Sequence, residues 1–138
     1  MRPSHFLDTN ILIYSVSLDP AEAHKCNRAI DLLGRDDGAL SVQVLQEFYV
    51  QATRATRPNP LPHGTAVGLI RTWMRFTVQD MSLQIFERAL QFKFAHGFSY
   101  WDSAIIAAAN ALGCQTLYTE DMSHGRVVES VKICNPFL

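Results

Sequence analysis

The sequence predicts an α/β fold, a three-layer α/β/α sandwich around a mainly parallel central sheet. Short apolar runs of strand length alternate with helical-period segments of ten or more residues, long enough to carry the crossover between parallel strands. Helices then cover both faces of the sheet. A chain of 138 residues, 48% of them hydrophobic, suits a single domain over residues 1–138 that buries about two-thirds of its unfolded surface.

His5 to Leu7 reads as a short buried strand, stopped by Asp8-Thr9-Asn10. The run from Ile11 to Val16 is assigned to helix, because Asp8 or Thr9 can cap it and a strand through the polar triplet would bury unpaired groups. Asp19-Pro20-Ala21-Glu22 starts the next helix with a capping acid and a proline in the first turn, and Ala23, Cys26, Ala29, Ile30 and Leu33 form its inward stripe. Between Gly34 and Gly38 the chain turns into a second strand, Ala39 to Val42.

Ser41 is placed to cap a helix whose apolar face is Val44, Leu45, Phe48, Tyr49 and Ala52. The prolines of Arg57-Pro58-Asn59-Pro60-Leu61-Pro62 end it in an ordered surface loop. Helices follow at Thr65 to Phe76 and Ser82 to Ala95, separated by a brief strand at Thr77 to Gln79. A further helix opens at Ser99 or Tyr100 and stops at Gly113, and strands at Gln115 to Tyr118 and Val131 to Cys134 complete the sheet.

The formal net charge is −1, so bulk charge carries no nucleic-acid signature, although nine of the twelve basic residues are arginine, which leaves room for a local phosphate-binding patch. Cys26, Cys114 and Cys134 lack zinc-ligand spacing and read as buried thiols in a reducing cytoplasm. No apolar run approaches membrane-spanning length. The absence of a G-x-x-x-x-G-K-[ST] loop argues against a GTPase.

The chemistry-bearing residues are acids at the ends of strands, where open α/β sheets place ligands. Asp8 follows the first strand, and Asn10 is positioned to orient a neighbouring carboxylate, with Thr9 offering a backbone contact. Glu47 lies about one and a half turns into its helix, within reach of the sheet edge. Asp102 stands in a Ser99-x-x-Asp102 capping box, and a carboxylate there also feels the positive end of the helix. Glu120-Asp121 closes a strand; Asp121 is the expected inward acid and Glu120 the reserve ligand. Each acid has a competing structural role, as a cap or as a solvated helix residue. Taken together, hard oxygen donors from separate sheet-edge segments suit magnesium or manganese.

Four segments resemble the PIN-domain ribonucleases, specifically the VapC-like toxins of toxin–antitoxin pairs: Phe6 to Tyr14 (FLDTNILIY), Ser41 to Phe48 (SVQVLQEF), Trp101 to Ala109 (WDSAIIAAA) and Leu117 to Gly125 (LYTEDMSHG). They occur in the family's order and span almost the whole chain. The resemblance implies that Asp8, Glu47, Asp102 and Asp121 form the acidic quartet, with Asn10 and Ser41 in support. It also implies a homodimer and an antitoxin whose C-terminal segment blocks the cleft.

The reaction expected on this reading is metal-assisted cleavage of an RNA phosphodiester, with Arg54, Arg57 and Arg126 as candidate RNA contacts. His124 reads as a loop histidine. Trp73, Phe76, Phe86, Phe92, Phe94 and Trp101 fall mostly at helical spacings expected for core or dimer packing, and surplus apolar residues between Thr65 and Phe94 are compatible with a partner surface. A magnesium-dependent phosphatase would need a D-x-D motif that Asp8-Thr9-Asn10 lacks. A non-catalytic RNA- or protein-binding module is the other alternative, and it predicts binding without metal-dependent turnover.

Overall fold

The computed structural model describes residues 2–138, so Met1 of the expected 1–138 domain lies outside the described residues. Six strands form one sheet: β1 (His5–Leu7), β2 (Gly38–Ser41), β3 (Thr77–Gln79), β4 (Thr116–Tyr118), β5 (Val127–Val128) and β6 (Val131–Cys134). Their spatial order is β3-β2-β1-β4-β6-β5, parallel throughout except for the antiparallel β5–β6 pair at one edge. The helices are α1 (Thr9–Ser15), α2 (Ala23–Leu33), α3 (Val42–Thr53), α4 (His63–Trp73), α5 (Leu83–His96) and α6 (Tyr100–Ala111), with a 3₁₀ turn at Pro20–Glu22 before α2. The architecture is the three-layer α/β/α sandwich with a mainly parallel sheet.

Phe6, Leu7, Leu40, Leu117 and Ile133 bring the central strands into the core with no exposed surface. Both faces of these strands are covered, which is why they read as continuous apolar runs. Helix α6 is buried from Ser103 through Ala109, and its alanines let it lie close to the sheet while α5 packs along it. Leaving β1, the chain adds β2 and β3 on one side, then crosses to add β4 and β6 on the other. The strand order therefore reverses between β1 and β4. Leu7 and Tyr118 are in register at the carboxyl ends of these strands, and Asp8 N donates to Tyr118 O at 3.1 Å. Such a reversal opens a crevice beyond the strand ends.

Serine caps set several helix starts. Ser41, Ser82 and Ser99 accept from the amides of Val44, Ile85 and Asp102 at 3.3, 3.2 and 3.1 Å. Gly97, at φ 78°, ends α5 in the left-handed conformation that favours glycine.

Two local expectations are corrected, and one strand is additional. In α2 the inward residues are Ala29, Leu32 and Leu33, whereas Ala23 is exposed and Ile30 is 51% exposed. The 3₁₀ turn before Ala23 shifts the phase of the helix relative to a single helix begun at Pro20. Helix α4 starts at His63 from the extended backbone of Pro62 and ends at Trp73, leaving Met74 outside it and 59% exposed. Strand β5 was not expected, because its turn places Glu129 and Ser130 at positive φ without the Asn-Gly or Asp-Gly pair that announces such hairpins.

Candidate active site

Asp8 leaves β1 in an extended conformation and caps α1, with Oδ1 accepting from Thr9 N at 2.7 Å. Its other oxygen accepts from the hydroxyl of Thr119, a fully buried residue just past β4, at 2.8 Å. Thr119 Oγ1 also accepts from Asn10 Nδ2 at 3.0 Å and from Asp121 N at 3.1 Å. Asn10 completes the link by donating to Asp121 Oδ2 at 3.1 Å and accepting from Glu120 N at 3.2 Å. Two strand ends are thereby tied together at the crevice.

On the other side, Thr9 Oγ1 donates to Glu47 Oε2 at 2.6 Å, and Gln43 Nε2 donates to Glu47 Oε1 at 3.0 Å. Glu47 is thus turned inward from α3. Asp102 occupies the first turn of α6, where Ser99 supplies its half of the capping box, and the return bond from Ser99 N to the Asp102 carboxylate is absent among the described residues.

Asp8, Glu47, Asp102 and Asp121 line one cleft of about 270 Å³, together with Asn10 and Glu120. Among the described residues, no Lys, Arg or His side chain lines it. Burial lifts Asp8 to a pKa of about 7, against the bonds from Thr119 and Thr9, and Glu47 and Asp121 push the same way as burial. Asp102 is raised chiefly by burial; the Ser99 hydroxyl opposes the shift, while Asp121 and Glu47 add to it.

Glu120 is held differently. Lys25 Nζ and Tyr14 Oη lie 2.7 Å from its two carboxylate oxygens, and Lys25 sits 4.9 Å from the centroid of the Tyr14 ring. Burial works to raise its pKa, yet the Lys25 and Tyr14 bonds outweigh it and hold it below the usual carboxylate value.

The donor set fits a hard divalent cation, being carboxylates without nitrogen or sulfur ligands, and the Lys25 ammonium at its edge is paired with Glu120. Among the described residues, however, no three His, Cys, Asp or Glu side chains are gathered closely enough to hold an ion. The acids share a cleft rather than a formed coordination sphere.

The profile of the PIN domain family matches residues 5–129. The chain belongs to the PIN-domain family. No curated protein matches it by sequence. Among solved structures, this PIN domain is similar to a toxin–antitoxin complex from Klebsiella pneumoniae, with 21% identity, TM-score 0.71, and 96% of this chain and 98% of that chain covered. It is similar to Mycobacterium tuberculosis VapC20, described as a sarcin-ricin loop cleaving toxin, with 18% identity, TM-score 0.66 and coverage of 86% and 92%. It is also similar to DNA-bound VapBC from Salmonella typhimurium, with 18% identity, TM-score 0.65 and coverage of 95% and 96%.

The remaining singled-out residues of this PIN domain lie around or away from the cleft. Ser41 caps α3 and does not line it. Arg54 borders an adjoining groove and Arg57 lies farther along, donating to Asn59 O at 3.3 Å. Arg126 donates to His96 O at 3.0 Å and stacks over Phe98, outside the cleft lining. His124 Nδ1 accepts from Asn135 N at 2.9 Å.

Three parts of the acid network escaped sequence reasoning. Thr119 and Gln43 carry no role in the sequence reading, and Thr9, whose amide makes the expected backbone contact to Asp8, adds a hydroxyl bond to Glu47. For Thr119, its place between a strand and two acids was the available signal.

Proposed function

We propose that this PIN domain is a magnesium- or manganese-dependent endoribonuclease that acts as a VapC-like toxin in the cytoplasm. The observation that carries this reading is the convergence of Asp8, Glu47, Asp102 and Asp121 on a cleft whose lining, among the described residues, contains no basic side chain. These four carboxylates would hold the cation. When bound, the divalent ion supplies a Lewis acid and lowers the pKa of a coordinated water.

The chain's own residues prepare that chemistry. Thr119 and Asn10 fix Asp8 and Asp121 relative to each other, while Thr9 and Gln43 orient Glu47. Arg54 and Arg57, outside the acidic cleft, are the groups proposed to meet RNA phosphates.

The relatives solved as toxin–antitoxin and VapBC assemblies support an antitoxin as partner. A homodimer is supported by α5, where Leu83, Phe86, Leu90 and Phe94 leave an exposed apolar stripe while Ile85, Ala89 and Phe92 face the core. No described helix is long and apolar enough to cross a membrane.

A non-catalytic binding module is favoured by one fact, that Asp8 also serves as a helix cap. Incubation of a structured-RNA pool with the protein in magnesium or manganese separates the two readings. The nuclease yields discrete products suppressed by EDTA; RNA binding without turnover would reject it.

A further inference from the structure

Trp101 lies one residue before Asp102 in the first turn of α6 and is 63% exposed, so of the core and dimer roles its spacing suggests it does not fill the core one. Its indole is braced. The Tyr100 ring meets it edge-on with centroids 5.0 Å apart, and Tyr100 in turn lies 5.9 Å from the Phe86 ring. Gln43 Nε2 donates to the Trp101 carbonyl at 3.2 Å as well as to Glu47 Oε1 at 3.0 Å. The Trp101 backbone is therefore tied to Glu47 through one amide, and Tyr100 supports one side of its indole.

A groove of about 360 Å³ runs beside this ring, lined by Val50 and Arg54 and sharing Gln43, Glu47, Gln51 and Trp101 with the acidic cleft. It leads from carboxylates, across an apolar wall with side-chain amides, to a guanidinium. This order of groups matches a nucleotide in chain: an aromatic face for the base, amides for its edge and an arginine for phosphate. An apolar protein partner would find a broader surface along α5, where Leu83, Phe86, Leu90 and Phe94 are exposed.

We propose that Trp101 stacks on the base of an unpaired RNA nucleotide adjoining the scissile phosphate, with Arg54 contacting a neighbouring phosphate. Trp101 is thereby a specificity-determining residue, and its role rests on the nuclease reading. Purines stack over more ring area than pyrimidines, so the site favours a purine.

The test combines tryptophan fluorescence of the wild type with anisotropy of fluorescein-labelled RNA, which also reads binding by variants without the Trp101 indole, and with cleavage kinetics for wild type, Trp101→Phe and Trp101→Leu. Hexameric oligoadenylate and oligouridylate are titrated in calcium, which takes the same class of oxygen ligands, and cleavage of an RNA pool is followed in manganese. Trp73 is only 5% exposed, so quenching that disappears in Trp101→Phe belongs to Trp101. RNA is expected to quench the wild type saturably, with oligoadenylate binding more tightly. Trp101→Leu should weaken binding roughly 5- to 100-fold and Trp101→Phe should retain most of it. In cleavage, Trp101→Leu should raise KM while kcat stays within about threefold.

Equal binding by wild type and Trp101→Leu, without quenching, while the wild type cleaves RNA would overturn this inference and leave the nuclease intact. Wild type that neither binds nor cleaves RNA would overturn both. Burial of Trp101 emission that grows with protein concentration in the absence of RNA would assign the face to a second copy and overturn the stacking role.

Discussion

The Thr119 hydroxyl donates to Asp8 at 2.8 Å, joining the residue after β4 to the residue after β1 in a site without exposed surface at Thr119. Because the same oxygen accepts from Asn10 and from the Asp121 amide, a single threonine sets the spacing of two carboxylates. Thr119→Val keeps the shape and removes that oxygen. It should cost about 1–3 kcal/mol of stability by leaving buried groups unpaired, measured by urea unfolding against wild type. A neutral effect would mean that the bond does not organise the site.

Asp8 gives the metal-free protein a distinctive pH dependence. Its folded pKa of about 7 stands above the ordinary aspartate value of 3.8, so between those values the folded protein retains a proton that the unfolded chain has released. On this account stability is highest near the acidic end and falls as pH rises toward 7, by up to roughly 4 kcal/mol from this group. Asp8→Asn should flatten the curve and raise metal-free stability at neutral pH. Urea melts across pH 4.5 to 8 in EDTA measure both slopes, and parallel curves for the two proteins would refute the assignment.

Asp102→Asn separates a metal role from a helix-start role. The amide of residue 102 still bonds to Ser99 Oγ in the variant, while a charge crowded by Asp121 and Glu47 is removed. Metal-free melting should therefore be unchanged or modestly raised, and the stabilisation conferred by magnesium should shrink. A large metal-free loss would favour the capping role.

Glu120 should behave unlike Asp121. Its carboxylate is engaged by Lys25 and Tyr14 in a solvent-screened ion pair that contributes little to stability. Glu120→Gln is expected to retain most manganese affinity in calorimetry, whereas Asp121→Asn loses it. Equal losses would make Glu120 a ligand in its own right.

The arginines divide by position. Arg54→Ala and Arg57→Ala should each reduce the slope of log K for single-stranded RNA against log salt by about 0.7. Arg126, occupied by His96 O and Phe98, should leave the slope unchanged on replacement. Filter binding over a salt series distinguishes them.

Much of the fold was legible because local chemistry and tertiary context agree. The Phe6-Leu7 run, the Ser41 and Ser99 caps and the Gly97 stop each specify a boundary that packing then retains. Phase was harder. The outward turn of Ile30 follows from a 3₁₀ start, and the direction of Phe86, Phe94 and Trp101 depends on which side of a helix finds the core, which periodicity leaves undetermined. In the cleft, acids at strand ends could be read from sequence, but the hydroxyl links could not. Thr119 meets Asp8 only because β1 and β4 are neighbours, a pairing across more than one hundred residues.

Whether the four carboxylates serve a metal-dependent nuclease is decided by the initial rate of RNA cleavage as manganese is titrated, for wild type and for Asp8→Asn, Glu47→Gln, Asp102→Asn and Asp121→Asn, each confirmed folded. Wild type should cleave only with the metal, and each variant should lose more than about 100-fold at fixed manganese. Equal rates across the five proteins, or cleavage indifferent to manganese and EDTA, would contradict that role.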